Sequence, residues 1–177
     1  MDFYNEEKRK QAIENLFVAK ELLDKLNVPF FLSNGTLLGC IRDKNLIRHD
    51  SDVDIGVQIK DFNYSILNCF LENGFVVFGI YGTEKNGLQY SFKRVGVKLD
   101  IFFYYDEDDR SAMSVWRHEQ QFKYVYPRIE KLVPEFFLGK IFSIPYNYIE
   151  YLEAQYGDWK TPVEDWDCYL SCKNIKT

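Results

Sequence analysis

The stretch FLSNGTLLGCIRDKNLIRHDSDVDIGV, residues 31–57, decides the fold because a turn, a short helix and an acidic strand follow one another in it. From Ser51 onward polar and apolar residues alternate, with Asp52 and Asp54 in one phase and aliphatic residues in the other. A period of two is typical of a half-buried β-strand, on which residues two apart lie about 6.6 Å apart on one face. The two carboxylates therefore favour a shared divalent cation, or a pair of cations about 3.5–4 Å apart.

Composition restricts the class of protein. The 177 residues suit one ordinary domain, and a hydrophobic fraction of 46% with 18% aromatics is far from that of a disordered chain. A net charge of -5 argues against a protein that wraps polymeric nucleic acid, because such proteins need a basic surface. The start lacks the apolar core of a signal peptide, and no run of 18 apolar residues occurs. We expect a cytoplasmic protein without a transmembrane segment, which touches membranes only transiently at the inner, cytoplasmic face.

The four cysteines do not form a metal-binding pattern. Cys168 and Cys172 are close enough to be half of a zinc site, but no second Cys or His pair completes it. Reduced thiols in a reducing compartment are the simpler interpretation.

Apolar periodicity predicts one α+β domain over residues 1–177, with an N-terminal helix at 6–27, an active-site core at 28–105 and a C-terminal hairpin and helix at 120–165. Within these parts we expect the following elements: a strand at 28–32, a short helix at 36–42, a helix at 61–73, strands at 75–81, 88–95 and 97–105, a hairpin at 133–144 and a helix at 145–155. The acidic run at 106–110 reads as a solvated loop, and 158–177 as irregular.

The turn before the short helix is a candidate phosphate site. A helix start presents unpaired backbone N–H groups and a partial positive charge, and Gly35 lets a ligand approach the backbone closely. Asn-Gly is also a common turn dipeptide with no binding role. Its place one short helix before the acidic strand is what favours a binding role.

Asp100 is a lone carboxylate inside a strand that otherwise has a buried composition. Two interpretations stay open. It is either an edge-strand charge or a partner of Lys98 or Lys93 in a salt bridge, or it faces Asp52 and Asp54 and completes a metal cage.

Other metal and nucleotide motifs are excluded. The D-x-D-x-D run at 50–54 resembles the start of an EF-hand loop, but that loop needs Gly at its sixth position and Glu at its twelfth. Those positions hold Ile55 and Asp61. The phosphate loop of NTPases, the dinucleotide fingerprint and the zinc-protease motif are all absent from the sequence.

Two separated motifs resemble one family. The run G-T-L-L-G at 35–39, followed by Arg42 and by D-x-D-x-D-I at 50–55, resembles the LicD family, which includes the fukutin and fukutin-related proteins, within the nucleotidyltransferase superfamily. The segment Tyr156–Pro162 is similar to the closing Y-G-x-W-x-x-P of that family. The resemblance covers about residues 32–162 and implies a nucleotidyltransferase-like mixed β-sheet flanked by helices.

The chain departs from the family pattern at the edge of the pocket. His49 and Ser51 stand where the family usually has Trp and Asp, and Arg48 and Asn45 where Pro and Gly are common. The donor's identity stays open for this reason, whereas the acidic residues of the strand are intact.

The resemblance implies a phosphotransferase. The family transfers a phospho-alcohol, such as phosphocholine, ribitol phosphate or glycerol phosphate, from a CDP-linked donor to a glycan hydroxyl; lipopolysaccharide, capsule and teichoic acid are acceptor classes. Mg²⁺, with Mn²⁺ as an alternative, is the implied cofactor. Asp52, Asp54 and Asp100 are then the metal ligands and catalytic residues, with Asp100 also taking the acceptor proton, and Asp50 is a further candidate ligand.

The implied donor site lies before the acidic strand. Gly35 and Thr36 would hold phosphate oxygens through a backbone N–H and a hydroxyl, and His49 would form part of the pocket wall. Arg42 would clamp a donor phosphate, or else form a salt bridge with Asp43 or Asp50. For the aromatic residues of the closing motif, packing is the simpler interpretation.

Two other functions remain compatible with these residues. The same carboxylates serve nucleotidyl transfer, in which NMP moves from an NTP to a small molecule or protein, so the motif does not separate the two reactions. A non-catalytic nucleotide-binding module is the third reading. Intact carboxylates argue against it, because a site without a cation would still suffer their mutual repulsion.

Overall fold

The computed structural model describes residues 2–176. The α-helices of this range are α1 (Glu6–Lys25), α2 (Asn34–Leu38), α3 (Ser65–Glu72) and α4 (Tyr148–Tyr156). The strands are β1 (Phe31–Leu32), β2 (Asp52–Gln58), β3 (Val76–Thr83), β4 (Asn86–Arg94), β5 (Val97–Glu107), β6 (Arg110–Arg117), β7 (Gln120–Pro127), β8 (Leu132–Phe137), β9 (Lys140–Pro145) and β10 (Ile175–Lys176). A π-helical turn at Gly39–Asp43 extends α2.

Helix α1 covers the core. Asn5 caps it by accepting a hydrogen bond from the Lys8 N–H at 3.0 Å, and Glu6 and Glu7 in its first turn complement the helix dipole. Its apolar stripe is buried against β5 and α3. The predicted amphipathic helix at 6–27 is confirmed, with its end two residues earlier.

Strand β5 is the centre of the main sheet. On one side of β5, residues 98–104 pair in parallel with β2. On the other side, residues 97–102 pair antiparallel with β4, and β4 pairs with β3. The last residues of β5 leave these partners and pair with β6, so that the sheet continues through β7 to β10. The parallel pair β2 and β5 is connected through α3, β3 and β4. The α+β architecture with a mixed sheet and flanking helices is confirmed.

The apolar residues that alternate with the acidic ones on β2 and β5 form the centre of the core. Val53, Ile55, Leu99 and Ile101 have no exposed surface. Their acidic neighbours are held on the opposite face, as a period of two requires. The core is continuous with the aromatic residues of α3 and β4, where Phe70 and Phe92 stack at a centroid distance of 4.8 Å.

Several predicted boundaries were wrong, among them the start of α2, which lies at Asn34 instead of 36. Only residues 31–32 of the predicted strand 28–32 pair with β2; Val28 and Phe30 are buried without being part of a strand. Helix α3 begins at Ser65 rather than at 61, after the side chain of Asn63 accepts a hydrogen bond from the Ser65 N–H. Pro145 does not begin α4, because it ends β9 opposite Leu132. The predicted hairpin at 133–144 is confirmed as β8 and β9.

The hairpin of β6 and β7 was missed by sequence reasoning. Its turn consists of His118 and Glu119, whose φ angles are 48° and 66°. Tight hairpin turns of this kind usually carry Asn-Gly or Asp-Gly, because those residues tolerate positive φ. Because this signature is absent, the sequence did not predict the two strands.

The predicted loop at 106–110 was wrong at both ends, which belong to strands, whereas the segment after 158 is largely irregular as predicted. Asp108 and Asp109 form the exposed turn of the acidic run, while Asp106 and Glu107 belong to the end of β5. Residues 158–174 contain only turns and bends, and the short strand β10 then pairs with β7. The four cysteines are free thiols. Within residues 2–176 no helix has the length and apolar character needed to cross a bilayer.

Candidate functional site

Strand pairing brings the predicted carboxylates together. The parallel register of β2 and β5 places Asp54 beside Asp100, and Asp52 beside Lys98. Oxygen atoms of Asp52, Asp54 and Asp100 all lie within 4.8 Å of one another. Since residues two apart on a strand share a face, the four side chains form one compact charged block, which we call the floor.

Burial makes the charged form of the carboxylates in the floor unfavourable. Asp54 is 8% exposed and Asp100 is 2% exposed. Burial raises the pKa of Asp54 well above its ordinary value of 3.8, and the negative charges of Asp52, Asp50 and Asp100 raise it further. Burial also raises the pKa of Asp100, against the opposing effect of Lys98. The floor therefore has a strong affinity for positive charge.

Lys98 supplies part of that charge. Its Nζ lies 2.7 Å from Oδ2 of Asp52 and 3.0 Å from Oδ2 of Asp100. Burial lowers the pKa of Lys98, but the charges of Asp100 and Asp52 outweigh burial and leave the pKa raised. The sequence left two alternatives for Asp100: a salt bridge with Lys98, or a position facing Asp52 and Asp54. In the structure both occur together.

A hydrogen bond fixes the orientation of Asp100. Ser91 of β4 lies opposite Asp100 in the antiparallel register, and its hydroxyl donates to Oδ1 of Asp100. The other carboxylate oxygen, Oδ2, is left facing Lys98. One oxygen thus anchors the side chain and the other faces the floor.

The donor set of the floor suits a hard divalent cation. Three carboxylates converge, and neither sulfur nor imidazole is among the clustered ligand atoms. Oxygen ligands of this kind favour Mg²⁺ or Mn²⁺ over zinc or copper. The ammonium group between two of the carboxylates marks a place where the chain itself puts positive charge. Asp52, Asp54 and Asp100 therefore fit the implied metal ion.

The first turn of α2 contacts the acidic strand through two hydrogen bonds. The Gly35 N–H donates to Oδ2 of Asp54 at 3.2 Å, and Oγ1 of Thr36 accepts a hydrogen bond from the Asp54 N–H at 2.8 Å. A Cβ atom at residue 35 would meet the carboxylate of Asp50, so any larger residue would require the Asp50 side chain to move. Asp50 adjoins the floor but lies outside the cluster of three.

The predicted phosphate role of the Thr36 hydroxyl is corrected by this contact. Thr36 is only 1% exposed, and its oxygen is used to hold the backbone of Asp54. The sequence pattern placed Thr36 correctly at the helix start, but it does not say which way the side chain points. The structure gives this hydroxyl a positioning role.

Buried tyrosines support the turn from below. Asn34 has a φ of 44°, a conformation that Asn tolerates better than most residues. Its Oδ1 accepts hydrogen bonds from the hydroxyls of Tyr126 and Tyr151, both at 3.2 Å. The Tyr151 hydroxyl is also 2.6 Å from that of Tyr104 on β5. The network ties the turn to β5, β7 and α4 at once.

A cavity of about 240 Å³ opens above the floor. We call it the acidic cavity; the floor closes it on one side and residues of the β6–β7 hairpin and of the C-terminal segment on the other. Met113 and Tyr124 come from the hairpin, and Trp166, Cys168 and Tyr169 from the segment. Sequence reasoning assigned none of these to the site.

A second cavity of about 290 Å³ adjoins the first. We call it the aromatic cavity, because Tyr156, Trp159 and Trp166 line it together with Arg42 and His49. Gly35, Asp50, Tyr156 and Trp166 line both cavities. The rings of Tyr156 and Trp166 pack at a centroid distance of 5.0 Å. The closing motif thus packs as predicted and also faces the site.

Arg42 has a partner in the protein. Its Nε and Nη2 donate to the two carboxylate oxygens of Asp43 at 2.7 and 2.9 Å, which is one of the two salt bridges that the sequence left open. The guanidinium group still lines the aromatic cavity beside His49. Arg42 therefore lies at the site, but its guanidinium group is already paired with the carboxylate of Asp43.

The chain is similar to known proteins of one family. A family model described as "LicD/FKTN/FKRP, nucleotidyltransferase domain" matches residues 27–147. Ribitol-5-phosphate transferase FKTN of Homo sapiens is 38% identical over 172 residues, which is 95% of this chain and 37% of that protein. Ribitol 5-phosphate transferase FKRP of Homo sapiens is 27% identical over 143 residues, 77% of this chain and 29% of that protein. The chain thus spans about a third of the length of these relatives.

A solved structure shares the fold. The solution structure of the antibiotic-resistance factor ANT(2'')-Ia matches with a TM-score of 0.55 at 13% identity, over 90% of this chain and 78% of that one. At this identity the likeness concerns the fold alone. Together with the family model, it confirms the predicted nucleotidyltransferase-like fold.

Proposed function

The chain belongs to the LicD/FKTN/FKRP family, and from this we propose that it is a metal-dependent phosphotransferase that moves a phospho-alcohol from a CDP-linked donor to a glycan hydroxyl. Relatives named as ribitol-5-phosphate transferases favour ribitol phosphate as the transferred group. The observation that carries the proposal is the convergence of Asp52, Asp54 and Asp100 beneath a cavity.

The floor residues have distinct parts in the proposed reaction. Asp52, Asp54 and Asp100 would hold Mg²⁺, which neutralises charge on the donor's phosphates as the bond to the leaving group breaks. Gly35 and Thr36 hold Asp54 in place through the two hydrogen bonds described above. Arg42 would grip a donor phosphate from the aromatic cavity through its planar guanidinium group.

Asp100 is the proposed base. An acceptor hydroxyl in the acidic cavity forms a new bond to the phosphorus that carries the alcohol, and the bond from that phosphorus to CMP breaks. Asp100 takes the hydroxyl proton, and CMP leaves with the electron pair of the broken bond. The raised pKa of Asp100 makes it a better proton acceptor than an exposed carboxylate.

The donor is tested by binding and by turnover. We would incubate the protein and Mg²⁺ with CDP-ribitol, CDP-glycerol, CDP-choline, CTP or ATP, and record the melting temperature and the release of CMP or pyrophosphate. A CDP-linked donor is expected to raise the melting temperature, since saturation at a hundred times the dissociation constant stabilises by about 2.7 kcal/mol. CMP release is expected to follow when a glycan that offers a free hydroxyl is added.

Two variants serve as controls. Asp54→Asn is expected to abolish CMP release, whereas Asp109→Asn, which makes the same change at an exposed turn, is expected to leave it unchanged. Stabilisation by CTP or ATP alone, with release of pyrophosphate, would replace the proposal with nucleotidyl transfer.

A further inference from the structure

Lys98 occupies the centre of the charged floor. It lies on β5 directly beside Asp52 of β2 and two residues before Asp100, so all three side chains emerge on one face. Its Nζ contacts one oxygen of each neighbour, at 2.7 Å for Asp52 and 3.0 Å for Asp100. An ammonium group with two carboxylates at these distances has the charge and the contacts of a small bound cation.

The surroundings offer Lys98 no competitor. Asp50, Asp52, Asp54 and Asp100 all line the acidic cavity, and among the described residues of that lining Lys98 is the one basic side chain. The cavity thus holds four carboxylates against a single positive charge. A cation that enters this cavity meets the same oxygens that Lys98 already contacts.

We propose that Lys98 is a built-in substitute for a divalent cation. In the metal-free protein its ammonium group takes the place that a cation would share between Asp52 and Asp100, and a cation that binds there displaces it. This inference rests on the metal site of the proposed function. It makes Lys98 a positioning residue that stabilises the free site and sets how tightly the cation binds.

The side chain of Lys98 has the freedom that this exchange requires. It is 31% exposed, whereas that of Asp100 is only 3% exposed. A lysine stem has four flexible carbon–carbon torsions and carries a compact charge, so the ammonium group can swing into the cavity while the strand stays in place. Asp100, held by Ser91, remains where it is.

Lys98→Met tests the inference, because methionine keeps the approximate length of the side chain and removes the charge. We would titrate the donor-free protein with Mn²⁺, follow free Mn²⁺ by electron paramagnetic resonance, and record melting temperatures with EDTA or with saturating Mn²⁺. Charges this close in a partly buried site change an equilibrium constant by about tenfold or more. We therefore expect Mn²⁺ to bind Lys98→Met about tenfold more tightly than it binds the wild type.

The difference in melting temperature between Lys98→Met and the wild type is expected to depend on the metal. With EDTA, Lys98→Met should melt about 5 °C or more below the wild type, because three carboxylates are left without a counter-charge. With saturating Mn²⁺ the two proteins should melt together. A variant that folds only when Mn²⁺ is present would be the extreme form of the same result.

Lys93→Met is the matched control. Lys93 lies opposite Lys98 across β4 and β5, but its Nζ sits 3.7 Å from the centre of the Phe78 ring, and Lys93 is not among the residues that line the acidic cavity. Lys93→Met makes the same change in net charge as Lys98→Met and should leave Mn²⁺ affinity at the wild-type value. Lys98→Arg keeps the charge, and it should retain metal-free stability without tighter Mn²⁺ binding.

Unchanged or weaker Mn²⁺ binding by Lys98→Met would overturn the inference, since Lys98 would then support the ligands instead of competing with the cation. An equal gain of affinity in Lys93→Met would also overturn it and would leave net charge as the cause. None of these measurements uses a CDP-linked donor. A failure of phospho-alcohol transfer is therefore distinguishable from a failure of the role given to Lys98.

Discussion

The floor and the opposite wall of the acidic cavity are built in different ways. The floor consists of four charged side chains on two paired strands, and its positions follow from register. The wall comes from the β6–β7 hairpin and from the turns and bends after α4, which no repeating pattern links to the floor. The contrast supports a proposal of separate roles, in which the floor would supply the chemistry and the wall would select the molecules that enter the cavity.

The largest expected effect is on the floor. Asp54→Asn should lower phospho-alcohol transfer by about 10³-fold or more, because a ligand and part of the charge at the reacting phosphate are lost. Without metal, its free energy of unfolding should equal or exceed that of the wild type. Turnover and urea unfolding in EDTA check both parts.

The gain in stability should depend on pH. The folded chain holds the Asp54 proton to a higher pH than the unfolded chain does, since burial raises the folded-state pKa above 3.8. The wild type thus loses stability as the pH rises above about 4 and through the folded-state value, and Asp54→Asn does not. The advantage of the variant should be small at pH 4 and larger at pH 8. A large loss of metal-free stability would instead make Asp54 a structural residue.

The support beneath the floor should give the next largest effect. Asn34→Ala removes the acceptor of two tyrosine hydroxyls and places alanine at a φ of 44°, so it should lower the free energy of unfolding by about 2–3 kcal/mol. Asn34→Gly restores the backbone freedom alone and should recover part of the loss. Urea denaturation measures both. Equal losses in the two variants would show that backbone conformation contributes little.

The wall should give a smaller and different effect. Trp166→Ala should raise the donor KM by about tenfold, the scale of one lost stacking contact, with kcat within about threefold of the wild type. Trp166→Phe keeps an aromatic ring and should lie between the two. A fall in kcat equal to that of Asp54→Asn would erase the distinction between wall and floor.

The smallest effect is expected at the rim of the aromatic cavity. Asp43→Asn releases Arg42 from a partly exposed salt bridge, so it should cost less than about 1 kcal/mol of stability. The released guanidinium group should lower the donor KM by about two- to threefold. Steady-state kinetics and thermal unfolding check this, and an unchanged KM would remove Arg42 from the donor site.

The same contrast explains what the sequence predicts. The spacing of Asp52 and Asp54 has a period of two, which fixes their shared face before any tertiary contact is known. Asp100 stands out because a carboxylate inside a buried strand needs a partner. The order of α1, the short helix after Gly35 and the central strands follows from apolar periodicity, so the floor and its surroundings are accessible to sequence reasoning.

The parts that were missed depend on contacts between distant residues. Trp166 lies in a segment without regular structure, and the β6–β7 hairpin turns at His118 and Glu119 without the usual residues. The direction of the Thr36 hydroxyl is set by its contact with the Asp54 backbone, which appears only when the turn docks on β2. Lys98 lies two residues before Asp100 and so shares its face of the strand. This spacing was the one signal in the sequence that could have placed Lys98 in the floor.

The parallel pairing of β2 and β5 has a consequence for biosynthesis. A helix and two strands separate the partners, so a nascent chain leaving the ribosome exposes Asp52 and Asp54 well before Asp100 is made. Two of the three clustered carboxylates therefore stay hydrated until β4 and β5 have been made. If the chain binds a metal ion as proposed, ion capture would be a late event of maturation that reports closure of the long-range crossover.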